Sequence, residues 1–131
     1  MAGCVLRASG AAFDVDAFLK ASSLRPPVVY RKGQRRKPAS RGPHTLSGFN
    51  LVVCAGETSA DVHGAEVLAF LQANRVELER LRRFSGVESV VLEFAVPQDA
   101  IASRGARFPA DLLALAGTLG IDIQVTFYLV G

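Results

Sequence analysis

Cys54, Asp61 and His63 are the residues of this 131-residue sequence that come closest to a catalytic set. A thiol, a carboxylate and an imidazole can act as nucleophile, orienting acid and base. However, Cys54 ends an alternating strand, where a small buried thiol is ordinary. His63 is expected in the first turn of a helix, at the boundary of the core. We therefore predict no catalytic residue, and a small enzyme centred on Cys54 and His63 is our third hypothesis.

Metal and cofactor sites are not predicted either. The two histidines are nineteen positions apart and the two cysteines are distant in sequence, which is not zinc-ligand spacing. The turn 56–61 follows a strand, yet it has neither a P-loop nor a G-x-G-x-x-G pattern. Glu57 and Asp61 already place negative charge at the start of the next helix, which favours a self-capped helix over a phosphate site.

The basic residues are segregated along the chain. Between Ala17 and Gly56 there are eight basic residues and no acidic one, whereas the rest has seven basic and twelve acidic residues. Glycine, proline and serine within this stretch predict a basic, flexible loop at about 33–46. Such a loop can attract nucleic acid or another polyanion, although only Tyr30 is nearby for stacking. The predicted binding residues are Arg31, Lys32, Arg35, Arg36, Lys37 and Arg41.

Length and composition predict a single domain over residues 1–131. Half of the residues are hydrophobic, but the apolar runs are far shorter than the roughly 20 residues of a membrane helix, so we expect no membrane partner. No export signal precedes Cys4. We therefore predict a cytoplasmic protein with reduced thiols.

Hydrophobic periodicity predicts five strands and three helices. Asp14 is expected to cap the first helix, with Phe13 and Phe18 at the spacing of a hydrophobic staple. Glycines 86 and 120 are expected to end the second and third helices. The face of the long second helix that should be buried consists of Val67, Leu71, Leu78 and Leu81. The predicted strands are 4–8, 28–32, 49–55, 90–96 and 121–129, and the predicted helices are 15–22, a long one within 59–84, and 109–119.

The resulting order β-α-β-β-α-β-α-β predicts an α+β fold. We expect a two-layer sandwich with a ferredoxin-like β-α-β-β-α-β core and an added C-terminal α-β. Its helices should pack on one face of a largely antiparallel sheet. In such a sheet the first and third strands are antiparallel neighbours, so Cys4 and Cys54 should lie close together at the same end of the sheet.

Several segments together resemble the bacterial domain of unknown function 4279 family, and the similarity spans nearly the whole chain. These segments are Phe13-Asp14-Val15-Asp16, Tyr30-Arg31-Lys32-Gly33, Ser47-Gly48-Phe49, the helix from Phe70 to Phe84, and Phe108-Pro109-Ala110-Asp111-Leu112-Leu113 leading to Phe127-Tyr128. At the Ser-Gly-Phe position the family favours Trp, which this chain lacks. The resemblance implies a family without an assigned activity.

We expect a small cytoplasmic binding or interaction protein without catalysis of its own. It would act by surface contact on another protein, as immunity and accessory proteins do. The alternative is nucleic-acid or polyanion binding through the basic loop. The sequence leaves the oligomeric state open.

Overall fold

A computed structural model describes residues 3–36, 41–55, 60–99 and 105–130 of the chain. This part is a mixed α+β fold with one five-stranded sheet and four helices. The strands are β1 (Gly3–Gly10), β2 (Val28–Tyr30), β3 (Ser47–Ala55), β4 (Ser89–Asp99) and β5 (Asp122–Val130). The helices are α1 (Val15–Lys20), α2 (Ala60–Ala73), α3 (Arg75–Arg83) and α4 (Ala110–Thr118).

The sheet has the strand order β2-β3-β1-β4-β5. Strand β1 lies in its centre and is antiparallel to both β3 and β4. Strand β2 is antiparallel to β3, whereas β5 is parallel to β4. The predicted antiparallel contact between the first and third strands is confirmed, and Cys4 lies opposite Cys54.

Helix α1 begins where the sequence predicts it. The side chain of Asp14 accepts a hydrogen bond from the backbone N–H of Ala17 at 3.0 Å, which caps the helix. The rings of Phe13 and Phe18 are in contact, with centroids 6.2 Å apart. The helix is two residues shorter than predicted and ends at Lys20.

The prediction of one long second helix is wrong in one respect, because the structure divides this segment at Asn74 into α2 and α3. The Asn74 side-chain amide donates to the carbonyl oxygen of Phe70 at 2.9 Å, and its backbone departs from helical angles (φ −112°, ψ 20°). The backbone N–H of Asn74 donates to the same carbonyl at 3.0 Å, and a side chain that bonds the preceding turn in this way often bends a helix. This local bend divides the predicted helix, so the described part of the chain has four helices instead of three.

The predicted buried face of these two helices is confirmed, because Val67, Leu71, Leu78 and Leu81 are at most 1% exposed. They share one core with the inward side chains of the sheet, including Leu6, Phe49 and Leu92. The outward side chains of the same strands reach solvent. Among these are Arg7, Val52, Gln124 and Thr126.

Strand β5 differs from its prediction at its C-terminal half. Ile121, just before the strand, is buried, but Phe127 is 49% and Leu129 is 72% exposed. Among the described strands, β5 lies at the edge of the sheet and pairs only with β4. Alternation therefore identified the strand correctly but overestimated its burial.

In the described ranges, no helix combines the length and the apolar character that are needed to span a membrane.

Candidate anion-binding groove

The basic segment after β2 is organised by backbone hydrogen bonds into two arms, 31–36 and 41–46. Gln34 N–H donates to the carbonyl of Arg31 at 3.0 Å, and Gly33 adopts a φ of +87° that suits the turn. Two bonds of 2.8 Å then join the arms, from Gly33 N–H to His44 O and from His44 N–H to Gln34 O. A single β-bridge pairs Arg35 with Pro43. The described part of the predicted loop is thus a short extension of the β2–β3 hairpin.

The arms and the outward face of the sheet enclose a groove of about 640 Å³. Its wall combines cationic side chains with exposed apolar ones, because Val28 is 47% and Leu46 is 38% exposed. None of the lining side chains in the described part of the chain is acidic. The lining residues are Arg7, Val28, Val29, Tyr30, Gln34, Arg35, Arg36, His44, Thr45, Leu46 and Asn50.

Arg36 has hydrogen-bonding capacity to spare in this groove. Its Nε is buried and has no hydrogen-bond partner among the described residues. Its Nη2 donates a long hydrogen bond of 3.5 Å to the carbonyl oxygen of Pro43. Leaving a buried donor unsatisfied costs about 1–3 kcal/mol, and more for a charged group. A carboxylate or phosphate oxygen at this point would satisfy it and match its charge.

Tyr30 and His44 form the aromatic part of the groove wall. Their rings are stacked, with centroids 4.8 Å apart and an angle of 21° between the planes. Gly48 permits this arrangement, because a Cβ there would lie 2.7 Å from the Tyr30 hydroxyl and would overlap the carbonyl of Ala8. The glycine of the Ser47-Gly48-Phe49 segment therefore has a packing role.

The structure separates the six predicted binding residues. Arg35 and Arg36 line the groove, whereas Arg31, Lys32 and Arg41 are exposed outside its lining. Lys37 lies outside the described residues. Two of the five predicted residues that the structure describes therefore line the groove.

Arg31 does not offer a free charge to a ligand. Its Nε and Nη2 donate to the two carboxylate oxygens of Asp16 at 2.8 and 2.7 Å. This hydrogen bond, together with the charge of Arg31, lowers the pKa of the Asp16 carboxyl. Asp16 lies just before the acid-free stretch in sequence, so counting charges within that stretch could not reveal the pair.

Arg7 contributes to the groove from the centre of the sheet. Its guanidinium contacts the Glu93 carboxylate at 2.6–2.7 Å, so most of its charge is already matched. Glu93 also accepts from Thr126 at 2.7 Å and from Gln124 at 3.0 Å. These hydrogen bonds, that of Thr126 first, lower the pKa of Glu93. Among the described lining residues, Arg35 and Arg36 are therefore the arginines whose charge no acidic side chain matches.

Sequence reasoning missed Arg7 and His44 as groove residues. His44 lies inside the basic segment, and its position shortly before β3 could have indicated that it lines the groove. Arg7 is at an outward position of β1, 28 positions before Arg35. Only the strand order brings β1 next to β3, so its place in the groove follows from tertiary structure.

Cys54 and His63 are both buried, at 6% and 3% exposure. The boundary position predicted for His63 is wrong, because its helix packs that side against the core. Burial raises the pKa of the Cys54 thiol, and the nearby charge of Glu66 raises it further. Both effects reduce the thiolate fraction at neutral pH. The side chain of Asp61 lies outside the described part of the chain.

Among the described residues, no group of three or more His, Cys, Asp or Glu side chains is placed to hold a metal ion.

The chain matches a known protein family. The model of a family described as "Domain of unknown function (DUF4279)" covers residues 2–130, which is nearly the whole chain. No curated protein matches the chain, and no solved structure does.

Proposed function

The chain belongs to the DUF4279 family, and we propose that it is a small, noncatalytic binding domain that contacts an acidic partner protein through the basic groove. Surface contact of this kind is how an immunity or accessory protein would act. The free thiols of Cys4 and Cys54 support a reducing compartment such as the cytoplasm.

The strand order supports the finer fold assignment within this proposal. Strands β2, β3, β1 and β4 are consecutive antiparallel neighbours. This is the order of a ferredoxin-like core, to which α4 and β5 add a further helix and a parallel edge strand. The groove then lies on the sheet face opposite the helices of a two-layer domain.

The observation that carries the functional proposal is the unmatched charge of Arg35 and Arg36 beside exposed apolar side chains. The buried Nε of Arg36 has no partner among the described residues, and Val28 and Leu46 offer apolar surface next to it. Arginine next to exposed apolar and aromatic groups is typical of protein-binding surfaces. A segment with carboxylates and an apolar anchor is complementary to this surface.

The environment of the two cysteines supports a noncatalytic role. The thiols of Cys4 and Cys54 both have raised pKa values, with burial as the largest cause. A cysteine nucleophile normally needs a lowered pKa and partial exposure.

Single-stranded nucleic acid is a second candidate ligand, and the stacked rings of Tyr30 and His44 favour it. An aromatic wall next to arginines is a common platform for unstacked bases. The salt dependence of binding would identify a nucleic-acid ligand, because log K falls with log salt concentration by a slope of about 0.7 for each phosphate contact on a single strand.

Charge-matched variants test the proposal. The groove variant replaces Arg35 and Arg36 with Ser, and the control replaces Arg83 and Arg107, which are exposed outside the groove. The probes are a fluorescent glutamate–tyrosine copolymer and single-stranded DNA, each at two salt concentrations. We expect the groove variant to bind the copolymer at least about tenfold more weakly, since one charged hydrogen bond contributes about 1.5–3 kcal/mol.

The control variant should bind nearly as well as the wild type. Equal losses in the two variants would show that net charge, and not the groove, attracts the probe. A groove-dependent loss for DNA alone would favour the second candidate. Neither variant should lose more than about 1 kcal/mol of unfolding free energy, because Arg35, Arg83 and Arg107 are exposed and the buried Nε of Arg36 has no partner among the described residues to lose. The same limit holds for Ser at all four of Arg35, Arg36, Lys37 and Arg41.

A further inference from the structure

The chain has two cysteines, and the fold places them directly opposite each other. Cys4 at the start of β1 and Cys54 near the end of β3 are partners in the antiparallel ladder. Both are free thiols. Fifty positions separate them in sequence, so their proximity is a property of the folded sheet.

A β-bulge creates this alignment. Val5 pairs with Val52, and the register then shifts so that Cys4 pairs with Cys54 and Val53 is the extra residue. Without the extra residue, Cys4 would face Val53. Bulges are local features that re-aim side chains, and here the effect is to bring two thiols into the same cross-strand position.

The spacing suits a disulfide. Directly opposed residues of an antiparallel pair have Cα atoms about 4.5–5.5 Å apart, and disulfides span Cα distances of about 4.4–6.8 Å. The backbone of Cys4 also lies near enough to the Cys54 thiol to lower its pKa, although burial raises it more. The Cys54 sulfur is therefore already close to the residue with which it would pair.

A surface depression lies beside this position. It has a volume of about 230 Å³ and is lined by both cysteines together with Val5, Arg7, Val52 and Glu93. Cys54 is slightly exposed, at 6%, whereas Cys4 is fully buried. Cys54 is thus the more accessible residue of the pair.

We propose that Cys4 and Cys54 are a reversible oxidation site, which a low-molecular-weight disulfide such as oxidised glutathione converts to a cross-strand disulfide. The Cys54 thiolate attacks one glutathione sulfur, forms a mixed disulfide and releases a first glutathione thiolate. The Cys4 thiolate then attacks the Cys54 sulfur and releases the second glutathione. The two protons lost by the cysteines are taken up by the two glutathione thiolates, so glutathione disulfide is reduced and the protein is oxidised.

The burial of the two thiols and the negative charges near them make this reaction slow, so it needs sustained oxidation. Burial raises the pKa of both thiols, and the charges of Cys54 and Glu93 raise that of Cys4 further. The thiolate is the attacking species, so its small population limits the rate. The pair is therefore expected to stay reduced until the glutathione pool becomes oxidised.

Mass spectrometry of the folded chain tests the proposal. We expect oxidised glutathione to lower the intact mass by two hydrogens, a tryptic digest to link the peptides of Cys4 and Cys54, and dithiothreitol to reverse both changes. The Cys4→Ser variant should stop at the mixed disulfide on Cys54, because the resolving thiol is absent. The Cys54→Ser variant should react much more slowly, since Cys4 is fully buried.

Two results would overturn the proposal. One is a folded wild type that stays reduced during prolonged incubation while the urea-unfolded chain oxidises under the same conditions. The other is a wild type that accumulates the mixed disulfide without resolving it, as the Cys4→Ser variant does. If either serine variant fails to fold, the peptide link and its reversal in the wild type still decide the question.

Discussion

Phe18 is the side chain on which the packing of α1 depends, and Phe18→Ala should be among the most destabilising single changes in this protein. The ring is fully buried. It contacts the rings of Phe13, Phe49 and Phe84, with centroid distances of 6.2, 6.2 and 5.3 Å. Burial against three aromatic rings couples a six-residue helix to the sheet and to the end of α3.

The expected loss is about 3–5 kcal/mol, the usual range for removing a core phenylalanine. This is a large fraction of the 5–15 kcal/mol that stabilise a typical domain. Part of it comes from Arg80, whose guanidinium carbon lies 4.2 Å from the centre of the Phe18 ring. A cation–π contact of this kind contributes about 0.5–2 kcal/mol. Because the Arg80 side chain is 35% exposed, we expect the lower half of that range.

Urea unfolding followed by far-ultraviolet circular dichroism measures these quantities. A double-mutant cycle of Phe18→Leu and Arg80→Met isolates the cation–π coupling, since leucine keeps most of the apolar volume. The control is Phe127→Ala, because Phe127 is 49% exposed on the edge strand and should contribute under about 1.5 kcal/mol. A Phe18→Ala variant no less stable than this control would refute the packing argument, and a coupling near zero would refute the cation–π contact.

Three further changes probe other parts of the fold. Leu71→Ala should cost about 2–5 kcal/mol in urea unfolding, whereas Val76→Ala, at a position 81% exposed, should cost little; equal midpoints would contradict the helix phase. The folded-state pKa of Glu93 lies below its ordinary 4.5, so its contribution is complete above that pH and is lost as the pH falls through the folded pKa. The unfolding free energy should thus fall less between pH 7 and pH 3 in Glu93→Gln than in the wild type. An equal fall in both proteins would count against a stabilising role for the hydrogen bonds of Glu93. Gly86→Ala should cost more than Gly42→Ala by thermal melting, because both have positive φ but only at Gly86 would a Cβ overlap a neighbouring backbone; similar melting temperatures would show that the segment relaxes.

The elements that the sequence predicted well are those whose signals are local. The cap at Asp14 and the helix stop at Gly120, with a φ of +71°, depend on residues within one turn. The buried face through Val67 and Leu81 follows from helical spacing alone. The break at Asn74 was visible as an interruption of the apolar stripe, but the stripe resumes in phase, and spacing could not show that the backbone turns there.

The groove could be predicted only in part because it is assembled from distant segments. The basic run identified Arg35 and Arg36, which are near each other in sequence. The partnership of Arg31 with Asp16 and the contribution of Arg7 depend on where α1 and β1 lie in space. Charge counting therefore could not show which cations line the groove or which are already paired with an acidic side chain.

The central position of β1 has a consequence for how the chain folds during synthesis. β1 carries Cys4, Leu6 and Ala8, all fully buried in the finished structure, and its two neighbours are residues 47–55 and 89–99. A ribosome adds roughly 5–20 residues per second, so β1 waits on the order of several seconds before both neighbours have been made. Such non-local pairing is slow to form. Any change that delays the pairing of β3 with β1 therefore lengthens the interval in which the nascent strand can pair with another chain.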